Sequence, residues 1–477
     1  MSNRLLGIYH QLPAPARSVA ASLRGLYLRS WRFGHETQRL VEEVIEREHW
    51  SPEQWKVWQE ERLGYLLLRA VTRVPYYREH WMERRRRGDR ASWGYLENWP
   101  VLEKEVIREH PAAFVADDCD MRRMFHLHTS GTTGKPLDLF RSRATMRALY
   151  ALSVARARGW HGISRHDRWA MLGGQMITPV HQRRPPFWVW NRALNQLYMS
   201  TYHLASDLIP YYLDALVRYR VTYLYGYSSS LYALAQEVLR LGRADLKIAV
   251  AITNAEPLFD YQRRTIAEAF QSPVRQTYGM AETVAAGSEC QAGRMHGWPE
   301  VGWIEVLEGD QSVPDGAFGE LVCTGLLNVD MPLIRYRVGD CGRLAAAEVT
   351  CECRRTLPTI ARIEGRTNDL LITRDGRRIS WLNPVFYGIP VRLAQIVQEE
   401  FDVIRVRYVP APDFTPQIGR SIIERLQSRM GPVEVILERV EDVPRTANGK
   451  FRAVICNVPA AQREFLPQTN RSPATVR

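Results

Sequence analysis

The chain has 477 residues, a formal net charge of +12 and an apolar share of 45%. A chain of this length can bury a substantial core and is expected to fold as two or more domains. No apolar run reaches the roughly 18 residues of a membrane-spanning helix, and the N-terminus lacks a signal-peptide core, so a cytoplasmic globular protein is predicted. The positive charge leaves nucleotides, nucleic acid or an anionic membrane surface to be considered as partners.

The spacing of apolar residues predicts helices first and then alternating strands and helices. The segments with such patterns are residues 1–110 (mainly helical), 143–158 (helical, ended by Gly159), 221–225 (strand), a helix that Ser228 caps and that ends near Gly242, 246–252 (buried strand) and 261–270 (helix). Because strands that alternate with helices favour parallel pairing, we predict an α/β fold with mostly parallel sheets covered by helices.

Two changes of composition divide the C-terminal third of the chain. Residues 302–343 are rich in turns and short strands, and a shift near Asn368 begins a smaller α+β unit. Residues beyond 462 look disordered. We therefore predict a large N-terminal domain over 1–367 that includes the helical leader 1–110, a small C-terminal domain over 368–462, and a disordered tail over 463–477.

The segment with the clearest chemistry is a Ser/Thr/Gly-rich loop that ends in a lysine. It consists of Thr129, Ser130, Gly131, Thr132, Thr133, Gly134 and Lys135. The glycines let the backbone approach an anion, the hydroxyls add donors and the ammonium adds charge, which suits a polyphosphate. It is not a Walker A motif, because its glycines are too close together and Pro136 follows the lysine. A flexible linker is the alternative.

Later segments add residue types that suit the rest of a nucleotide. They are Asn254-Ala255-Glu256 after the buried strand, Tyr278-Gly279-Met-Ala-Glu282, Arg335-Tyr-Arg-Val-Gly-Asp340, Gly365-Arg366 and a C-terminal turn that ends at Lys450. An aromatic ring suits a base, a carboxylate suits Mg²⁺ or ribose hydroxyls, and the carboxyl ends of parallel strands offer a ligand crevice. Each segment alone is more often a surface turn. Their joint occurrence predicts a nucleotide site.

In this order and spacing the segments resemble the AMP-forming adenylating enzymes, and within them the phenylacetate–coenzyme A ligase family. Three further stretches resemble its CapK-like branch: Tyr202-His-Leu-Ala, Tyr225-Gly-Tyr-Ser-Ser and Met331-Pro-Leu-Ile-Arg-Tyr. The resemblance implies ATP-dependent adenylation of a small-molecule carboxylic acid with release of pyrophosphate, and then acyl transfer, most naturally to coenzyme A. An amine or a carrier protein as acceptor, and a nucleotide-binding protein without catalysis, are the alternatives.

The resemblance also implies a role for each segment. In chain order, Thr129 to Lys135 would hold the β- and γ-phosphates, Asn254, Ala255 and Glu256 would line the adenine edge, Tyr278 and Gly279 would lie against adenine, Glu282 would bind Mg²⁺, Asp340 and Arg366 would take the ribose, and Lys450 would reach the α-phosphate and the attacking carboxylate. The small domain would be a mobile lid. Its hinge is commonly acidic in the family, whereas Asn368 stands there in this chain, so the position of the hinge is left open.

The acid itself would lie near the strand ends before Tyr278. The candidate lining residues are Gly173-Gly174, Pro186-Phe187-Trp188 and Tyr225-Gly226, with His128 and His203 as polar candidates. Aromatic side chains are as often core as pocket, and a lone histidine is more often structural than catalytic.

Seven cysteines in a chain expected to be cytoplasmic argue against a disulfide scaffold. Cys290 and His296 form one short ligand pair, and Cys351 and Cys353 form a second. Together they would give a closed Cys₃His zinc site, although the spacing is not that of a standard finger. Members of the family resembled often carry these pairs here, so the resemblance implies a structural Zn²⁺. Reduced thiols and a surface His296 are the alternative.

The basic residues do not form a recognisable nucleic-acid motif. The densest cluster, residues 84–87, consists of four arginines without interleaved aromatics, which predicts a solvated face and no nucleic-acid partner. A nucleic-acid binder that uses the basic surface is the alternative. Before residue 35, leucines alternate with arginines, so contact with a membrane surface is left open, although a packed helix is favoured. A homodimer is also left open.

Overall fold

The structure is a computed structural model that describes residues 3–128, 137–314, 316–346, 350–366, 371–374, 378–379, 383–386, 389–446 and 451–459. Of residues 3–6, 364–366, 378 and 383–384 it describes the backbone alone. The chain divides into two compact units, Met1–Val338 with Gly342–Arg362, and Gly339–Cys341 with Ile363–Arg477. The predicted boundary after residue 367, the hinge candidate Asn368 and the predicted tail 463–477 lie outside the described residues.

Helices occupy most of the first 110 residues. They are α1 (Asn3–Gln11), α2 (Ala14–Arg32), α3 (His35–Arg47), α4 (Pro52–Arg73), α5 (Pro75–Arg86) and α6 (Lys104–Glu109). The start of α4 shows why: Ser51 Oγ accepts a bond from the Gln54 amide and the Gln54 side chain accepts one from the Ser51 amide, a capping box. Within the described part of the chain, no helix combines the length and apolar character that a membrane crossing requires.

An eight-stranded sheet forms the centre of the large unit. The elements that follow α6 are β1 (Phe125–His128), β2 (Asp138–Arg141), α7 (Arg143–Leu152), β3 (Trp169–Gly173), β4 (Trp188–Asn191), β5 (Gln196–Ser200), α8 (Ile209–Arg218), β6 (Tyr223–Tyr227), α9 (Ser228–Leu241), β7 (Val250–Asn254), α10 (Asp260–Phe270), β8 (Val274–Gly279), β9 (Ala286–Glu289) and β10 (Met295–Gly297). The strand order is β10-β9-β8-β7-β6-β3-β5-β4.

The pairing of this sheet confirms the predicted α/β class. The neighbours from β8 to β5 all run parallel, whereas β4, β9 and β10 add antiparallel edges. Apolar residues of β3, β5, β6 and β7 pack with α8, α9 and α10 into one buried cluster. Helices therefore cover the parallel part of the sheet, as crossover connections require.

Three local predictions differ from the structure. The strand predicted over 246–252 is β7, which begins only at Val250 and runs to Asn254. Ser228 is the first residue of α9 and not its N-cap; its hydroxyl donates to the Glu256 carbonyl oxygen at 3.4 Å. The Glu256 carboxylate instead accepts a bond from the Ser229 amide at 2.9 Å, which places negative charge at the positive end of the helix. The helical segment 143–158 is α-helical only to Leu152, and its last turn is a π-helix.

A second sheet of five strands follows along the chain. Its strands are β11 (Gly302–Glu308), β12 (Gln311–Ser312), β13 (Gly319–Gly325), β14 (Tyr336–Leu344) and β15 (Ile360–Arg366), in the order β12-β11-β13-β14-β15. Apolar residues of α4, α5 and β13 share one buried cluster with β2 and the start of β14. This cluster packs the helical leader onto the body of the unit.

The small unit is an α+β arrangement. Its elements are β16 (Leu371–Ile372), β17 (Arg378–Ile379), β18 (Val391–Glu400), β19 (Val403–Pro410), α11 (Pro416–Met430), β20 (Glu434–Arg439) and β21 (Val454–Cys456). Its four-stranded sheet has the order β20-β19-β18-β21, with an antiparallel hairpin at its centre. Buried residues of α11 pack on this sheet.

Candidate functional site

The carboxyl ends of five parallel strands lie along one edge of the central sheet. In spatial order, β5, β3, β6, β7 and β8 end at Ser200, Gly173, Tyr227, Asn254 and Gly279. The register pairs Gly173 with Ser200 and Tyr227 with Asn254, so these ends are level with one another. In open α/β sheets the crevice beyond such an edge is the usual place for a ligand.

The last residue of β7 has an unpaired side-chain oxygen, and the next residue has a strained backbone. The Oδ1 atom of Asn254 is buried and has no hydrogen-bond partner among the described residues. Ala255 has a φ of 59°, a left-handed conformation that non-glycine residues rarely adopt and that occurs at binding sites. Glu256 is buried, and its carboxylate accepts a bond from the Ser229 amide at the start of α9.

Tyr278 and Gly279 end the neighbouring strand β8. Tyr278 is half-buried and packs against the apolar cluster below it, whereas Gly279 is exposed. Thr277 Oγ1 donates to the Thr253 carbonyl oxygen at 3.0 Å, which ties β8 to β7. The adenine candidates Asn254 and Tyr278 thus project from adjacent strands whose ends are held together.

Glu282 is a buried carboxylate with a cation beside it. Its side chain is 7% exposed, and its Oε1 lies 3.2 Å from Lys104 Nζ. The hydroxyl of Tyr336 donates to the same oxygen at 3.0 Å. A carboxylate oxygen is a suitable ligand for Mg²⁺.

Arg141 adds a second cation to this region. It is buried and its guanidinium donates to the carbonyl oxygen of Ala281, next to Glu282. Burial lowers the pKa of Arg141 to about 10, and the charge of Glu282 acts in the opposite direction. Arg141 is therefore still protonated at neutral pH.

Sequence reasoning missed Lys104 and Arg141. Neither stands in a motif, and Lys104 lies 178 positions before the carboxylate that it contacts. Tyr336 stands in the stretch quoted above as resembling the CapK-like branch, so a signal for it was present.

Several predicted site residues are not described in full. The loop from Thr129 to Lys135 and Lys450 lie outside the described residues. Asp340 is half-buried within β14, after Gly339 with a φ of 81°. Arg366 is the last residue of β15, and its side chain lies outside the description.

The glycines predicted to line the acid pocket lie close to tyrosines. The Tyr202 hydroxyl donates to the Gly174 carbonyl oxygen at 3.0 Å, and the Gly174 amide donates to the Tyr227 hydroxyl oxygen at 3.1 Å. Burial raises the pKa of Tyr227 to about 12, so its phenol is neutral. A Cβ on Gly173 would meet the Tyr198 hydroxyl at 2.7 Å, which shows how little room the backbone has there.

Phe187 and His203 are core residues. Phe187 is fully buried and its ring stacks on His203 with centroids 4.9 Å apart. His203 Nδ1 lies 2.8 Å from Ser200 Oγ and its Nε2 lies 3.2 Å from the Pro179 carbonyl oxygen. Burial lowers the pKa of His203 and its ring nitrogens have these partners, so the structural alternative holds for it.

The two short cysteine and histidine pairs come together in the large unit. The ligand atoms of Cys290, His296, Cys351 and Cys353 all lie within 4.8 Å of one another. Two sulfur atoms, of Cys290 and Cys351, are 3.6 Å apart, and Cys353 Sγ is 3.3 Å from His296 Nε2. Zinc–sulfur bonds of about 2.3 Å place tetrahedral sulfurs roughly 3.8 Å apart, so the spacing fits a zinc ion.

The surroundings of this Cys/His cluster orient its ligands. The His296 Nδ1 atom lies 3.2 Å from the Leu357 carbonyl oxygen, so Nδ1–H donates there and Nε2 is left for the thiol side. Burial raises the pKa of Cys351 to about 11, so this thiol is protonated at neutral pH. The indole of Trp160 packs edge-on against His296 at 5.9 Å.

A buried ion network lies beside the Cys/His cluster. Arg156 is fully buried and bonds both oxygens of Glu300, at 2.7 and 2.8 Å. Glu48 accepts bonds from Trp160 Nε1 at 2.6 Å and from Arg355 Nε at 2.8 Å. The network joins the end of α3 to the segments that carry the cysteines.

Two family models match the chain. The model described as AMP-binding enzyme matches residues 91–329, and the model described as CapK C-terminal domain matches residues 371–457. The two matches are consecutive and together span most of the chain.

Curated proteins and a solved structure agree with these matches. Protein CapK from Staphylococcus aureus is 27% identical over 384 residues, 78% of this chain and 82% of that protein. A phenylacetate-coenzyme A ligase from Thermus thermophilus is 27% identical over 84% of this chain and 96% of its own. The structure of 2-hydroxyisobutyryl-CoA ligase in the postadenylation state covers 88% of this chain and 92% of its own at 20% identity, with a TM-score of 0.68, which shows a common fold.

Proposed function

Because this chain belongs to the AMP-binding enzyme family, in its CapK-like phenylacetate–coenzyme A ligase branch, we propose that it adenylates a carboxylic acid and transfers the acyl group to coenzyme A. Family membership supports ATP-dependent acyl adenylation. Coenzyme A as the acceptor is supported by the ligases among its relatives.

The observation that carries the proposal is the position of Glu282. This carboxylate is buried at 7% exposure, follows the strand end that carries Tyr278, and is surrounded by Lys104 and Tyr336. A charged oxygen donor next to a base-binding edge is what a Mg²⁺-nucleotide requires. In this proposal Glu282 binds the Mg²⁺ that accompanies ATP.

The remaining roles follow the order of the chain. Thr129, Ser130, Gly131, Thr132, Thr133, Gly134 and Lys135 hold the β- and γ-phosphates, Asn254, Ala255 and the backbone of Glu256 line the adenine edge, Tyr278 and Gly279 lie against its face, Asp340 and Arg366 take the ribose, and Lys450 reaches the α-phosphate. The role of Asn254 is supported by its buried, unpaired Oδ1 atom, because this oxygen can accept a bond from the exocyclic amine of adenine.

The chemistry proceeds in two displacements. A carboxylate oxygen of the acid attacks the α-phosphorus of ATP, and the bond from that phosphorus to the bridging oxygen breaks, so pyrophosphate leaves. The thiolate of coenzyme A then attacks the acyl carbon, and the carbon–oxygen bond to AMP breaks. Two anions must meet in the first step, so Lys450 and Mg²⁺ would offset their repulsion and the charge that develops at phosphorus.

The first half-reaction is tested by ATP–pyrophosphate exchange across aryl, aliphatic and sugar-derived acids. We expect exchange that depends on one class of acid and that falls about a hundredfold in Lys450→Ala. The matched control is Lys247→Ala, which removes an exposed lysine from the same protein. Binding of ATP without exchange for any acid would leave the chain a nucleotide-binding protein.

The second half-reaction is tested with the acid found in that way. Coenzyme A, simple amines and a phosphopantetheinyl carrier protein are offered separately, and the acylated product is identified by mass spectrometry. A thioester of coenzyme A supports the proposal. Product with the amine or the carrier protein alone would replace coenzyme A as the acceptor and leave the adenylation step intact.

We also propose that the Cys/His cluster holds a structural Zn²⁺. The support is the spacing of the four ligand atoms, their burial and the orientation of His296 by the Leu357 carbonyl oxygen. Four protein ligands leave no open position, which is typical of a structural site. Reduced thiols without metal are the alternative, and the metal content of the purified protein distinguishes the two.

A further inference from the structure

The hairpin formed by β1 and β2 carries a second group of metal-ligating side chains. His126 and His128 lie two positions apart on β1, so their side chains share one face of the strand. Asp138 is the cross-strand partner of His128. The ligand atoms of these three residues lie within 4.8 Å of one another.

Both imidazoles approach the same carboxylate oxygen. Asp138 Oδ1 lies 2.8 Å from His126 Nε2 and 2.7 Å from His128 Nδ1. The ring of His126 stacks on Phe140, with centroids 4.7 Å apart and planes 4° from parallel. This stacking fixes the direction in which the ring presents Nε2.

Hydrogen bonds alone would account for two imidazoles beside one carboxylate. The side chains of His126, His128 and Asp138 are also 46%, 58% and 39% exposed, so an ion from solvent can reach them. Two imidazole nitrogens and one carboxylate oxygen on a single exposed face form a three-ligand set with open positions, which transition metals accept.

We propose that His126, His128 and Asp138 form an open site for a divalent transition metal, for which Ni²⁺ and Co²⁺ are the test ions. Imidazole ligands favour such ions over Mg²⁺ and Ca²⁺, which prefer oxygen. The site is distinct in chemistry from the thiol-rich Cys/His cluster and from the carboxylate of Glu282. A metal here would bridge the two strands of the hairpin.

The position of this site gives it a consequence for the proposed function. Along the chain, residues 129–136 follow His128 and precede Leu137 and Asp138. A metal bound to His128 and Asp138 would therefore link the two ends of the predicted phosphate loop. This consequence rests on the proposed role of the loop, whereas metal binding by the three side chains does not.

The test is calorimetric titration of Ni²⁺ into the full-length protein, after its Cys/His cluster has been saturated with Zn²⁺ and in excess Mg²⁺. We expect one further equivalent of Ni²⁺ to bind, and at least tenfold weaker binding in His126→Ala and in Asp138→Asn. The matched control His181→Ala removes an exposed histidine elsewhere and should bind as the parent does. Equal affinity in all four proteins would overturn the proposal, as would the absence of the further equivalent.

A spectroscopic measurement guards against variants that fail to fold. Co²⁺ added to the zinc-saturated protein should give ligand-field absorption without the thiolate charge-transfer band of a cysteine site. His128→Gln should abolish this absorption while the far-UV circular dichroism stays the same. A charge-transfer band, or absorption unchanged in His128→Gln, would assign the metal to other side chains.

Discussion

The Cys/His cluster and the region of Glu282 both bury ionisable side chains, but Glu282 lies beside a cation, whereas Cys351 lies among other thiols. Glu282 is a carboxylate that has a protein ammonium 3.2 Å away, on Lys104. Cys351 lies among other thiols and tryptophans, and burial raises its pKa to about 11, so it is neutral.

The difference shows what each group needs from its surroundings. A carboxylate that is buried in its charged form needs a counter-charge or fixed hydrogen-bond donors. A thiol can keep its proton and exchange it for a metal later. We infer that metal completes the structure of the Cys/His cluster, whereas Glu282 is already balanced and a metal there has to compete with Lys104.

The largest effect is expected from breaking the Cys/His cluster. Cys351→Ser removes a thiolate ligand, so bound zinc should fall from one equivalent to well below one. The free energy of unfolding should fall by roughly 3–5 kcal/mol or more, because structural zinc contributes directly to folding. Metal analysis and thermal unfolding measure both quantities.

The matched control for that change is Cys119→Ser. Cys119 is a half-buried thiol outside the Cys/His cluster, so this variant should keep its zinc. If Cys351→Ser retained a full equivalent of zinc and its unfolding temperature, the cluster would be a group of packed thiols and no metal site.

The next largest effect is expected at Glu282. Glu282→Gln keeps the size of the side chain but removes the charge that we assign to Mg²⁺. Exchange between ATP and pyrophosphate should fall roughly 10²- to 10³-fold, the range for loss of one preorganised electrostatic group. Zinc content should not change, which separates this site from the Cys/His cluster.

Glu103→Gln is the control for the Glu282 variant. Glu103 is adjacent to Lys104 in the chain and is exposed, where it pairs with Arg337. It should therefore retain most of the activity. Equal losses in both variants would mean that general disturbance of this surface, and not a Mg²⁺ ligand, explains the effect.

The sequence predicts these regions unequally, for physical reasons. Apolar periodicity predicts the α/β class because it is local. The two ligand pairs are visible because each is short, and the resemblance to the family implies that they share one zinc site. Contacts between distant segments leave no such trace, so Lys104 beside Glu282 appears only in the folded chain. A distant contact also explains the wrong prediction for Ser228. Ser228 was expected to cap α9, but the carboxylate of Glu256 accepts the bond from the Ser229 amide at the start of that helix.

A smaller effect on stability is expected when the pH is lowered, because of His161, which follows Trp160 beside the Cys/His cluster. Burial, together with Arg275, lowers the pKa of His161 to about 4. An unfolded histidine titrates near 6.5, so between these two values the unfolded chain binds more protons than the folded one. The free energy of unfolding should therefore decrease from about pH 6.5 towards pH 4, by at most about 3 kcal/mol.

Replacement of His161 by glutamine should remove this part of the acid sensitivity. Urea unfolding at pH 7 and pH 5 in both proteins measures it. His166→Gln, at an exposed histidine on the following turn, should leave the pH dependence as it is. The same slope with and without His161 would assign the loss to other groups.

The smallest effect is expected on the Mg²⁺ requirement when Lys104, the cation beside Glu282, is replaced. Lys104 is 29% exposed and its Nζ lies 3.2 Å from Glu282 Oε1. Lys104→Met removes the competitor for the carboxylate oxygen and keeps the length of the side chain. The Mg²⁺ concentration for half-maximal exchange should then fall several-fold, because the metal no longer displaces an ammonium. A higher Mg²⁺ requirement would mean that Lys104 positions Glu282 for the metal and that the two cations act together on one carboxylate.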